Sequence, residues 1–246
     1  MNGCSRQMTM QLSAFVLAVA ALATAPTAYA DVLIAYGSSS EYAMQVEHVP
    51  DFDQRRALLP DEGGMYCAPT AAMNWMAYFA NHGAEWVGPG PGNWQSEALY
   101  NTATNAIADM GQLMGTHPQN GTTGNGAVTG INIWIPDPLI STVHQFTTDT
   151  WSPNFDHMAA HVFTVNPGFI MPVVGWYEGD PPCITRNGGH VLTLNTLLRS
   201  GNERILGWRD PASDEGQGFL QLITQSDFTT ENYEIDQQVV TPYGCN

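Results

Sequence analysis

The stretch CAPTAAMNWMAYFANHG, which begins at Cys67, constrains the fold more than any other part of the chain. Ala72, Trp75, Met76 and Phe79 recur at i, i+3, i+4 and i+7, the spacing of one apolar helix face. Pro69 suits a first helical turn, where a missing N–H removes no intrahelical bond, and Gly83 after Asn81-His82 marks the stop. A helix with this content must lie against a deep core. Its aromatic WMAYF segment reads as core wall rather than as a substrate pocket.

The flanking segments fix the fold class. From Asp31 to about Pro60 the short runs DVLIAY and EYAMQVEHV alternate with turn residues and read as an extended lead-in. After the Gly/Pro loop GPGPGN, a second helical pattern runs from about Gln95 to Met114. Ala98, Ala103, Ile107, Met110 and Met114 form its buried side. GTTGNGAVTG is either a loop or the start of a third helix reaching Ile135, and NFDHMAAHVFTVN reads as a short helix. Beyond Gly168 the pattern changes to GFIMPVVGWY, HVLTLNTLL and RILGW. These short β-branched and aromatic runs, bounded by Gly, Asn and Asp, predict successive antiparallel strands. Helices first and strands second give an α+β fold, with the Cys67 helix packed on a C-terminal antiparallel sheet.

The 246 residues are enough for one domain with a real core, and no internal linker divides them. The first thirty residues hold one charge, Arg6, an apolar run from Leu12 to Ala23, and Ala28-Tyr29-Ala30 ahead of Asp31. That is the layout of a secretory signal peptide. The run falls short of the ~20 residues that span a bilayer. The expectation is therefore a signal peptide over 1–30, an exported single domain over 31–246 with its core at about 60–213, and no membrane association after cleavage. Periplasm and medium are equally compatible with it.

Charge narrows the partners. The chain has 7 basic residues, 23 acidic ones and a formal net charge of −16. Phosphate contacts need clustered Lys and Arg, so sequence-independent nucleic-acid binding is disfavoured and no nucleic-acid partner is expected. Export also bears on the cysteines. Cys4 lies in the signal segment, Cys183 and Cys245 sit in Pro/Gly-containing loop contexts, and Cys67 opens a helix. In an oxidising compartment the two loop cysteines are expected to pair, which leaves Cys67 as a free thiol.

Cys67, His190 and Asp210 are the residues that carry chemistry. A thiol at a helix start lies near unsatisfied N–H groups and the positive end of the dipole, which favour a thiolate. The alternative role for such a residue is a small buried hydrophobe. His190 follows NGG and opens the apolar strand VLTLNTLL, where glycines allow close approach to its imidazole. Asp210 ends the next strand in ILGWRDPAS. There it can accept from His190 Nδ1 and leave Nε2 facing the sulfur.

This order of Cys, His and Asp resembles the papain-like cysteine peptidase superfamily. More closely, it resembles the stand-alone relatives of the bacteriocin-processing peptidase domain that cuts double-glycine leaders. The matching stretches are YCAPTAAMNWMAYFANHG, NPGFIMPVVGW, GGHVLTLN and WRDPAS, in the family's order over about Pro60 to Ser213. The resemblance implies a papain-like fold, with Cys67 as nucleophile, His190 as general base and acid, and Asp210 as the group that orients it. It implies a peptide or protein substrate and no cofactor. Two positions depart from the family pattern. Ala68 stands where glycine is usual, and Asp61 stands six residues before the cysteine, where the family has an oxyanion-hole Gln. Gln54, further upstream, is a substitute donor if its loop reaches the site.

Other signals carry less. His157 and His161 are four apart, but HMAAH lacks the Glu of a zinc-protease helix and no third ligand is placed by spacing. GTTGNG lacks the Lys of a phosphate loop. Asn120-Gly121-Thr122 is an N-glycosylation acceptor in a host with that machinery. The leading expectation is an exported thiol hydrolase, a cysteine peptidase cutting peptide or isopeptide bonds through an acyl-thioester. The alternatives are a catalytically silent peptidase-like domain that binds peptides or proteins, and a structural envelope protein with an inert Cys67. Substrate preference and oligomeric state are not encoded in any motif.

Overall fold

The computed structural model describes residues 32–89, 97–135, 155, 159, 170–178, 185–212, 221–224 and 233–235. The signal-peptide reading, Cys4, Cys183, Cys245, and the His157/His161 pair lie outside them. Three helices and eight strands are present among the described residues, so the fold is α+β. The strands are β1 (Val32–Ser38), β2 (Glu41–Val46), β3 (Val173–Glu178), β4 (Thr185–Val191), β5 (Thr193–Ser200), β6 (Glu203–Arg209), β7 (Gln221–Thr224) and β8 (Tyr233–Ile235). The helices are α1 (Cys67–Asn81), α2 (Glu97–Leu113) and α3 (Gly124–Trp134). None of these helices is long and apolar enough to cross a membrane.

The strands form two sheets, ordered β1-β2-β5-β6-β7 and β4-β3-β8, with every pairing antiparallel. The 31–60 lead-in corrects the expectation of helices first and strands second. Its first half is a hairpin, and β2 pairs with β5 along Glu41↔Ser200 to Gln45↔Thr196. The reason is burial: Tyr42, Met44 and Val46 are all buried and join the sheet core, so the lead-in is part of the sheet.

Helix α1 is central. Trp75 and Tyr78 pack with Met44, Leu194, Leu197, Leu206 and Trp208 on the sheet side. Ala72, Met73, Met76 and Ala77 pack with Ile107, Met110, Met114 and Ile131 on the helix side. A helix covered on both sides needs apolar residues nearly all round, and Ala68 to Tyr78 are buried without a break. The structure thus places WMAYF in the core, with Trp75 and Met76 fully buried. Helix α2 buries Ala103, Ile107, Met110 and, just past its end, Met114; Ala98 is exposed, because it lies in the first turn beyond the reach of α1. GTTGNGAVTG resolves in favour of a helix start. Thr123 caps α3 by accepting from the Gly126 N–H at 3.1 Å.

Close approach of helices fixes the start of α1. A side chain at Gly111 of α2 would stand 2.4 Å from the ring of Tyr66, the N-cap of α1. Only glycine lets Tyr66 lie there, and Tyr66 immediately precedes Cys67.

Candidate active site

The cysteine is placed by the loop before it and the helix after it. Asp61, Glu62 and Gly63 turn consecutively through the left-handed region, with φ of 50°, 50° and 78°. A Cβ at Gly63 would sit 1.7 Å from the carbonyl oxygen of Gln54, so this turn closes directly onto the 49–54 segment. Gln54 is buried, and its side-chain amide donates to Gly63 O at 3.1 Å and Gly64 O at 3.0 Å. Both amide protons are thereby used. Gln54 braces the loop ahead of Cys67 and is not available as the substitute oxyanion donor considered from the sequence. Asp61 lies on the exposed rim of the same turn.

The histidine is placed where the chain changes sheets. Strand β4 ends at Val191 and β5 begins at Thr193, so His190 is the penultimate residue of β4 rather than the opening of an apolar strand. The register explains the difference: His190 pairs with Val174 in one sheet, and Thr193 pairs with Arg209 in the other. Leu192, between them, donates its N–H to Pro172 O at 2.9 Å. Because Thr193 opposes Arg209, the residue after Arg209 falls alongside the β4–β5 junction. That residue is Asp210.

The structure brings all three sequence-predicted residues together. His190 Nε2 is 2.6 Å from Asp210 Oδ1, and the His190 ring lies close enough to the Cys67 thiol for each to shift the other's protonation. The nitrogens are exchanged relative to expectation: Nε2 meets the carboxylate, which leaves Nδ1 for the sulfur. The cause is where Asp210 lies. It reaches the imidazole at its far end, away from the backbone.

Electrostatics follow from this chain of contacts. Burial alone would push the Cys67 thiol up, but the His190 hydrogen bond and charge, with the N–H groups of Val191 and Ala68, bring it below its ordinary value. The Ala68 N–H belongs to the first turn of α1, where amides lack intrahelical acceptors. Burial lowers His190, yet the hydrogen bonds to Asp210 and Cys67 and their charges outweigh it and raise the imidazole to about 9. Asp210 would likewise be raised by burial, but His190 and the Ala212 N–H, 2.8 Å away, hold it below the usual carboxylate range. All three shifts favour thiolate, imidazolium and carboxylate. Cys67 is a free, half-buried thiol.

Polar residues that the sequence gave no reason to single out tie these elements together. Asn74 of α1, fully buried, accepts from the Phe52 N–H at 2.8 Å and donates to Thr193 Oγ1 at 3.1 Å. Thr193 in turn donates to Ala71 O at 3.0 Å. Helix α1 is thus locked to the first residue of β5, three positions beyond His190. A buried Asn in an otherwise apolar helix was the available signal. Among the described residues, no group of three or more His, Cys, Asp or Glu is arranged to hold a metal ion. The chain matches no protein-family model, no curated protein and no solved structure.

Proposed function

We propose that this protein is a thiol hydrolase of papain-like architecture, a cysteine peptidase that cuts peptide or isopeptide bonds and acts after export. The observation that carries the reading is the Cys67–His190–Asp210 chain, with the sulfur at a helix N-terminus and the imidazole held between thiol and carboxylate. Its resemblance to the double-glycine-leader peptidases supports the same assignment.

In the proposed reaction the Cys67 thiolate attacks the substrate carbonyl carbon and forms a C–S bond. The carbonyl π electrons move to oxygen. The Cys67 backbone N–H, at the first turn of α1, is the donor facing that oxyanion. Collapse breaks the C–N bond as the His190 imidazolium gives its Nδ1 proton to the leaving amine, which yields a thioester. His190, now neutral, takes a proton from water. The hydroxide adds to the thioester, the C–S bond breaks, and thiolate, imidazolium and a carboxylic acid product remain. Asp210 keeps Nε2 protonated throughout and stabilises the imidazolium.

A second reading has an observation of its own. Asp61 replaces the expected Gln, and Gln54 is committed to Gly63 and Gly64, which fits a silent domain that binds peptides without cutting them. Incubation of wild type, Cys67→Ala and His190→Ala with a peptide library, read by mass spectrometry, separates the two. Hydrolysis with a trapped acyl adduct on Cys67, lost in both variants, is the expected result. Peptide capture without cleavage, equal in wild type and Cys67→Ala, would overturn the peptidase reading in favour of the binding module.

A further inference from the structure

The geometry points to Asp51 as a fourth member of the site, a positioning residue that acts through Asp210 to set the basicity of His190. The inference rests on the His190–Asp210 contact that the proposed function uses, but not on turnover.

The segment Val49–Gln54 is strapped along the end of β6. Arg209 Nε donates to Val49 O at 3.2 Å, and the Gln54 N–H donates to Pro211 O at 2.8 Å, so Asp51 is held between two points of attachment beside Asp210. The Phe52 N–H, bonded to Asn74, fixes the same segment to α1. Asp51 Oδ1 is fully buried and has no hydrogen-bond partner. A buried carboxylate oxygen left unpaired is costly, which favours the protonated form. The charged groups that face it are Arg209 and Asp210 at the end of β6 and Asp53 on its own segment. His190 of β4 lies behind Asp210, and α1 presents the uncharged Asn74 to the adjacent Phe52 N–H.

Burial, with repulsion from Asp210 and Asp53 set against attraction to Arg209, raises Asp51 from 3.8 to about 7. Below about 7 Asp51 is neutral and Asp210 is the carboxylate that His190 meets. Above it, a second negative charge stands behind Asp210 and strengthens the hold on the imidazolium. Asp51 therefore tightens the site as pH rises through neutrality.

The test is NMR titration of the His190 ring and the Asp51 carboxyl carbon, from about pH 5 to about pH 10, in wild type, Asp51→Asn and Asp51→Glu. Wild type is expected to show Asp51 titrating near 7 and an inflection at the same pH in the His190 signals, ahead of the midpoint of the imidazole itself. Asp51→Asn should lose that inflection and weaken proton binding by His190 about threefold, the order expected of one nearby charge in a partly hydrated site. Asp51→Glu should restore both. An Asp51 carboxyl in wild type with an ordinary midpoint near 4, or a His190 curve unmoved in a folded Asp51→Asn, would overturn the inference. The wild-type measurement requires no variant to fold. Absence of peptide hydrolysis, which would sink the peptidase reading, leaves these titrations readable.

Discussion

Asn74→Ala is the substitution that most directly tests how the site is held. Asn74 is fully buried, and its amide makes two of the three hydrogen bonds that join Phe52, α1 and Thr193. Truncation leaves the buried Phe52 N–H without an acceptor, at about 1–3 kcal/mol. It also removes the bond to Thr193, worth about 1 kcal/mol, although Thr193 keeps its bond to Ala71 O. Alanine's better helix propensity returns about half a kcal/mol. The expected loss is therefore about 1.5–3.5 kcal/mol. Urea unfolding followed by the fluorescence of buried Trp75 and Trp208 measures it, with an unchanged m-value showing that the unfolded state is not the cause. Thr193→Val should cost less. The double variant should fall short of the sum by about 1 kcal/mol, since the Asn74–Thr193 bond is counted in both singles. A loss below about half a kcal/mol for Asn74→Ala, or strict additivity with Thr193→Val, would refute the claim that this network joins helix to sheet.

Four further outcomes follow from the geometry. Alkylation of Cys67 by iodoacetamide should titrate below the ordinary thiol range of about 8.5 and move upward in His190→Ala; an unshifted profile would remove the ion pair. Asp210→Asn should bring His190 down from about 9, toward or below 6.5 because burial then acts with less opposition, as read by NMR. Because His190 is raised on folding, its contribution to stability is complete below about 6.5 and lost as pH climbs through about 9. Asp210 is depressed, so its contribution is present above 3.8 and lost as pH falls through its lower folded value. Urea midpoints across pH should therefore fall at both ends, and fall less in His190→Ala. Gly63→Ala places a Cβ 1.7 Å from Gln54 O at a φ of 78°, so it should destabilise by at least about 3 kcal/mol and slow Cys67 alkylation together.

Local pattern made some of this legible and long-range geometry withheld the rest. Helix α1 could be read from Ala72, Trp75, Met76 and Phe79 because a 3.6-residue period survives in sequence. The runs behind β3, β5 and β6 were visible for the same kind of reason. The role of β1 and β2 was not, because the pairing Met44↔Leu197 joins segments that share no local signal. Cys67, His190 and Asp210 were recognisable as residue types in order. Which imidazole nitrogen meets Asp210 depends on register, Val174↔His190 against Thr193↔Arg209, and no composition rule encodes it. Thr193 and Asp51 look like surface polar residues until their partners are known, and Asn74 stands out only as a polar residue within an apolar helix pattern.

In the proposed reaction, thiolate formation and oxyanion stabilisation draw on largely different parts of this chain. The first draws on His190, the Val191 N–H and the opening turn of α1, all fixed by strand register and helix packing. The second shares the Cys67 backbone N–H of that turn and, in the family pattern, needs a further donor from the loop before Cys67. There Gln54 spends both amide protons on Gly63 and Gly64, and Asp61 supplies acceptors only. One missing donor is worth about 2.7–4 kcal/mol in the transition state. If the proposed reaction holds, Cys67 should react readily with iodoacetamide, whose displacement develops no oxyanion, and more slowly with a peptide carbonyl, which does. Alkylation and hydrolysis therefore report on two largely separate features. A substitution in the 61–64 turn should change their ratio, whereas one at Asp210 should move both together.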